Sequence, residues 1–133
     1  MQHWLLVRGT RDRLLPERVD PASLRSHSST RRPSLQSGDL ALCYASGWQT
    51  IFAVVEIVGD PENDPGRERW QWRVSIRPRL VVEHLSGAPP VEAAGAFPRS
   101  LGRHSYVRLT DEQFRAGLEA LTLSSHSHRF QPN

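Results

Sequence analysis

The stretch SGDLALCYASGWQTIFAVVEIV, residues 37–58, decides how this chain reads. Ser37-Gly38-Asp39 is a turn signal, and Leu40 to Tyr44 then runs apolar over the length of a strand rather than a helix. Ser46-Gly47 breaks that run at a tight connection. Gln49 to Val58 resumes it with Ile51, Val54, Val55, Ile57 and Val58, β-branched side chains that pack well on a pleated surface. Strands joined by so short a link predict an antiparallel sheet.

Outward from this pair the chain alternates strands with punctuation. His3 to Val7 reads as a short buried strand, ended by Arg8-Gly9-Thr10. Residues 11–37 are polar, with Asp20 and Pro21 placed to open a short helix. Ser26 to Ser34 reads as a long surface loop. On the other side, Gly59 to Arg69 is a Pro/Gly/Asp loop. Trp70 to Leu85 then alternates Trp70, Trp72, Val74 and Ile76 with Gln71, Arg73, Ser75 and Arg77, one face buried and one polar. Pro78 predicts an edge or a bulge in that strand. Ser86 to Ala96 reads as a loop and Tyr106 to Leu109 as a strand. Thr110-Asp111-Glu112-Gln113 fits a capping box, with Phe114, Leu118 and Leu121 behind it at helical spacing. No internal repeat appears. The pattern predicts an α+β fold, a mostly antiparallel β-barrel with a few short flanking helices. One domain is expected over residues 1–122, with 123–133 a disordered tail.

A chain of 133 residues suits one domain and buries enough surface to fold without disulfides or metal. Cys43 is the single cysteine and has no internal disulfide partner. No basic segment leads into an apolar one at the N-terminus, and Ile51 to Val55 is too short to cross a bilayer. A cytoplasmic protein without a membrane partner is expected. All 17 basic residues are arginine, for a net charge of +3 and a pI near 10.0. GC-rich coding accounts for most of that bias. Guanidinium forks nonetheless suit phosphates and base edges.

Several chemistries are missing. There is no P-loop, no dinucleotide-binding glycine pattern and no metal-ligand pair at diagnostic spacing. No cofactor or metal is expected. His126-Ser127-His128 reads as solvent-exposed tail. His84 and His104 have the chemistry of general bases, but no nucleophile stands near either in sequence. Cys43 sits inside an apolar strand, where cysteine is mostly structural.

The informative residues are four tryptophans, Trp4, Trp48, Trp70 and Trp72. A core of large rings explains at least one, Trp72 or Trp4. Trp48 follows a strand connection and Trp70 follows Arg67-Glu68-Arg69, so for both a pocket role weighs evenly against a core role. Rings at the mouth of a small barrel suit a flat ligand, and base–aromatic stacking contributes roughly 1–3 kcal/mol per base. Arg8, Thr10, Tyr44 and Ser46 are placed to hydrogen-bond a base edge. Arg31 and Arg32 are placed to hold phosphates.

Five stretches resemble the EVE domain family of the PUA-like superfamily, related to YTH and ASCH domains. They are His3 to Val7, Leu35 to Gly47 with its Gly-Asp turn and Tyr-x-Ser end, Phe52 to Pro61, Trp72 to Pro78 with its Val-x-x-Arg-Pro pattern, and Tyr106 to Phe114. They span nearly the whole chain in the family's order. The resemblance implies a PUA-like barrel with an aromatic pocket for a modified base or nucleotide, and modified DNA or RNA as partner. By position it matches Trp4 to the opening aromatic, Arg8-Gly9-Thr10 to a polar pair, and Tyr44 and Ser46 to the end of the second strand. Ser28 to Ser34 departs from the pattern: it lacks an aromatic, leaving one pocket wall absent or supplied by Trp48 or Trp70. Two alternatives stand beside a base-binding module. One is a protein-interaction domain whose pocket is closed by core side chains. The other is an ASCH-like nucleoside or RNA hydrolase, disfavoured by the absence of lysine. The protein is read as a binder rather than an enzyme.

Overall fold

In the computed structural model, residues 1–10, 12–67, 69–101, 104–124 and the backbone of 127–129 are described. The strands are β1 (His3–Arg8), β2 (Ser26–Ser29), β3 (Leu40–Ala45), β4 (Thr50–Ile57), β5 (Glu62–Asn63), β6 (Trp72–Val82), β7 (Tyr106–Leu109) and β8 (Ser127–Arg129), with one helix, α1 (Asp111–Thr122). Single 3-10 turns at Pro21–Ser23, Leu85–Gly87, Val91–Ala94 and Pro98–Ser100 complete it. The architecture is α+β, a curled, mostly antiparallel sheet with short flanking helices.

The sheet runs β2-β6-β4-β3-β1-β7, with β5 and β8 also on β6. One pairing departs from expectation. β1 lies parallel to β3, with Trp4 beside Ala41, so the sheet is mixed. The other described strand pairs are antiparallel. Ser26 to Ser34, read from sequence as a loop, supplies β2, whose Ser26–Ser29 pair with Ser75–Trp72. Its serines carry no strand pattern; the long partner strand imposes one, as sheet context overrides propensity. The register of β4 against β6 shifts where Val54 meets Leu80 and Val55 meets Pro78, the bulge a proline demands. Of the C-terminal segment, Ser127–Arg129 pair with Leu80–Val82, and residues 125, 126 and 130–133 lie outside the described residues.

Leu5, Leu6, Leu42, Ile51, Phe52, Val55 and Ile57 fill the interior. α1 covers one end, opened by the predicted capping box: Thr110 Oγ1 accepts from Gln113 N and Gln113 Oε1 accepts from Thr110 N. Buried Asp39 fastens the start of β1. It accepts from Gln2 N at 3.0 Å, Trp4 Nε1 at 2.9 Å and Gln36 N at 3.1 Å. Burial alone raises a carboxyl pKa, but these donors outweigh it and hold Asp39 below the usual carboxylate range.

Side chains join the two edges of the curl. The Ser105 carbonyl, just before β7, accepts both from Val7 N at 2.9 Å and from His27 Nε2 of β2 at 2.7 Å. Arg8, at the end of β1, donates to Ser26 O at 2.6 Å and lies 3.2 Å from His27 Nδ1. A carbonyl only accepts and a guanidinium only donates, which fixes His27 as the neutral Nε2–H tautomer. Burial first, and the Arg8 charge second, push its pKa down to about 4.

Candidate nucleic-acid interface

Beside this seam a cavity of about 910 Å³ opens. Its walls come from five places. The end of β1 and its turn give Val7, Gly9 and Thr10; the β3–β4 turn gives Ser46; β2 gives Ser28. The loop into β6 gives Arg69 and Trp70, and the segment before β7 gives Arg99, Ser100, His104 and Ser105. Gly47, at φ +86°, turns the chain just after Ser46, a conformation that side chains with a Cβ rarely adopt. Thr10 Oγ1 accepts from Arg13 N at 2.9 Å, which leaves its O–H free to donate into the cavity.

Three of the sequence-predicted residues, Thr10, Ser46 and Trp70, therefore meet on one cavity. Trp70 is 37% exposed with Arg69 stacked over its ring at 5.2 Å. The other predicted residues sit elsewhere. Trp4 is 5% exposed in the core, edge-on to Tyr106 at 5.6 Å. Tyr44 is buried, and burial together with Glu92 pushes its phenol pKa up. Trp48 packs half-buried against the core and donates from Nε1 to Leu15 O at 2.9 Å. Arg8 spends its guanidinium on the seam and lines a separate recess with Leu15, Leu24 and Phe52. Arg31 and Arg32 are exposed beyond β2, with Arg32 over the Trp72 ring at 5.6 Å.

The ionisable side chains lining the cavity, among the described residues, are Arg69, Arg99 and His104; no carboxylate joins them. Sequence reasoning missed Arg99, Ser100 and Ser105, which sit in a segment with no periodicity and reach the cavity only because β7 pairs with β1. Cys43 is buried, with its thiol pushed up to about 11 by burial, so it stays protonated near neutrality. Among the described residues no group of three His, Cys, Asp or Glu side chains is placed to hold a metal ion. No helix is long and apolar enough to cross a membrane.

No protein-family model and no curated protein matches this chain in sequence. Solved structures do match its shape. A protein of Rhodopseudomonas palustris superposes with a TM-score of 0.60 at 19% identity, covering 95% of this chain and 97% of that one. A protein of Agrobacterium tumefaciens gives 0.60 at 15% identity with 100% of both chains covered. Human THYN1, solved in complex with DNA containing 5-methylcytosine, gives 0.56 at 16% identity, covering 99% of this chain and 100% of that one. These likenesses show the fold, which fits the PUA-like α+β class. In this curled sheet the cavity lies where β1 and β3 end together, and its described chemistry is hydroxyls, two guanidinium groups, one imidazole and one indole.

Proposed function

We propose that the protein is a binding module that takes one modified base of a nucleic acid, in the first instance DNA, into this cavity. The observation that carries the reading is the convergence of Thr10, Ser46 and Trp70 on an open cavity whose described ionisable groups are all basic. The Trp70 indole serves as the stacking wall. The Thr10 and Ser46 hydroxyls both donate and accept, as the polar edge of a base requires. Arg69 and Arg99 meet the phosphates on either side of it. Human THYN1 supports the choice of DNA, since it shares the fold and was solved with methylated DNA. Binding is favoured over hydrolysis because, among the described residues, no carboxylate lines the cavity beside His104, and Cys43 is sealed in the core as a thiol.

The test is a calorimetric titration with short DNA and RNA oligonucleotides carrying methylated or hydroxymethylated cytosine or methylated adenine, beside unmodified controls. One modified base should bind in preference to its plain counterpart. Trp70→Ala should weaken that binding by about 1–3 kcal/mol. Because Trp70 is exposed, the far-ultraviolet circular dichroism of the variant should match the parent. Equal heats across the panel, or an unchanged affinity in the variant, would refute the reading.

A further inference from the structure

The cavity continues into a second surface. From Trp70 at its rim the chain runs into β6, where Trp72 stands cross-strand from Ser29 of β2 and Asn63 of β5. Arg32 lies over the Trp72 ring as Arg69 lies over Trp70, at 5.6 and 5.2 Å. Arg67 reaches Ser28 Oγ, a cavity residue, at 3.4 Å. Arg73, exposed, pairs cross-strand with Ser28 and Glu62. Among the described residues none of Arg32, Arg67, Arg69 or Arg73 makes an ion pair, although Glu62 is a near neighbour. Elsewhere in the molecule Arg79 is bound to Glu56 and Arg18 to Glu83. Among the described residues, then, the arginines leading out of the cavity form a row with no ion pair to a carboxylate.

A row of guanidinium groups without an ion-pair partner among the described residues suits a polyanion. Indole rings in the same row call for flat faces. A duplex offers phosphates but hides its base faces within the stack; an unpaired strand offers both at once. We propose that the β2–β6 ribbon is the track for an unpaired DNA strand flanking the base held in the cavity. Arg32, Arg67 and Arg73 meet its phosphates, and the Trp72 ring meets the base next to the one held against Trp70 in the cavity. The proposal rests on the cavity being a base site, and it adds that the base is presented by a single strand rather than by a duplex or a free nucleotide.

Fluorescence anisotropy and competition separate these cases. The probes are a short labelled single-stranded DNA carrying one 5-methylcytosine, the same DNA annealed to its complement, its RNA counterpart, and 5-methyl-deoxycytidine monophosphate as competitor. The DNA strand should bind at least about tenfold tighter than the monophosphate or the duplex, given about 5- to 150-fold per stacked base. Its affinity should fall with salt at about 0.7 in log–log slope per phosphate held. In the double variant Arg32→Ala/Arg73→Ala the strand should lose its advantage, and the slope should flatten by about 1.4. Both positions are exposed, so the fold should persist, which circular dichroism checks. A duplex bound as tightly as the strand, an RNA strand preferred to DNA, or an unchanged slope in the double variant would each overturn the proposal. The base reading fails in a different way: modified and plain strands would bind alike and Trp70→Ala would do nothing, while the double variant still lost its salt slope.

Discussion

Acid should destabilise the fold through the seam between β2 and β7, and His27 sets the pH window in which this happens. The neutral ring donates to Ser105 O and faces the Arg8 guanidinium at 3.2 Å. A second proton would set N–H against N–H and a positive charge against a positive charge, in a site 5% exposed. The folded pKa is about 4 against an ordinary 6.5. As pH falls, the unfolded chain therefore takes up the proton first. The stability due to neutral His27 is complete above about pH 6.5, declines as pH falls, and is gone near pH 4. At about 1.36 kcal/mol per pH unit this amounts to about 3 kcal/mol. Urea denaturation across this range, on the parent and on His27→Gln, isolates the effect. Glutamine keeps a donor for Ser105 O and cannot titrate. The parent should lose about 3 kcal/mol more than the variant on going from pH 7 to pH 4. Most carboxylates titrate below the middle of that window, and Asp39 lower still, so the difference should already be growing between pH 6.5 and 5. Parallel pH profiles for the two proteins would refute the assignment.

Two further outcomes follow from the packing. Trp48→Ala should cost about 2–4 kcal/mol of folding stability in thermal or urea denaturation, because it removes an indole packed on the core and leaves Leu15 O without its donor. In a titration with the preferred oligonucleotide its affinity should stay within a factor of about two, since nucleic-acid affinity here is assigned to the cavity and its arginines. Gly117→Ala places a Cβ 2.4 Å from Leu42 Cδ1 and 3.1 Å from Ala94 Cβ, on the buried face of α1. The clash should outweigh alanine's better helix propensity and destabilise by about 1–3 kcal/mol, readable as a lowered denaturation midpoint at unchanged slope.

The parts of the fold that were legible in sequence are those whose local chemistry agrees with their place in the barrel. β4 reads as a strand because its β-branched run is buried on both faces. α1 reads as a helix because Thr110 and Gln113 cap each other. Pro78 announces its bulge. What escaped has no local cause. Ser26–Ser29 is a strand only because β6 extends past β4 and offers an open ladder. The parallel pairing of β1 with β3 depends on where β7 and Asp39 hold the first strand. For the cavity, polar residues at strand ends pointed to Thr10 and Ser46, and the charged loop before β6 pointed to Trp70. Sequence could not separate Trp70 from Trp48, since both follow turn-like segments. The difference is that Leu15 O lies within reach of one indole, while the other stands in solvent under an arginine.

The strand order also governs when the molecule can form. β1 is made before both of its ladder partners, Leu40–Ala45 and Tyr106–Leu109, the latter about a hundred residues further on. Until they arrive, Trp4-Leu5-Leu6-Val7 is an apolar segment with both edges unsatisfied, the kind of stretch that pairs with the wrong neighbour. Contacts this distant in sequence slow folding, and here the β1–β7 ladder waits until Tyr106–Leu109 has been made. The sheet cannot be completed before β7 is made, and a nascent chain halted before it should carry an apolar strand with one open edge, the edge that β7 covers in the finished protein.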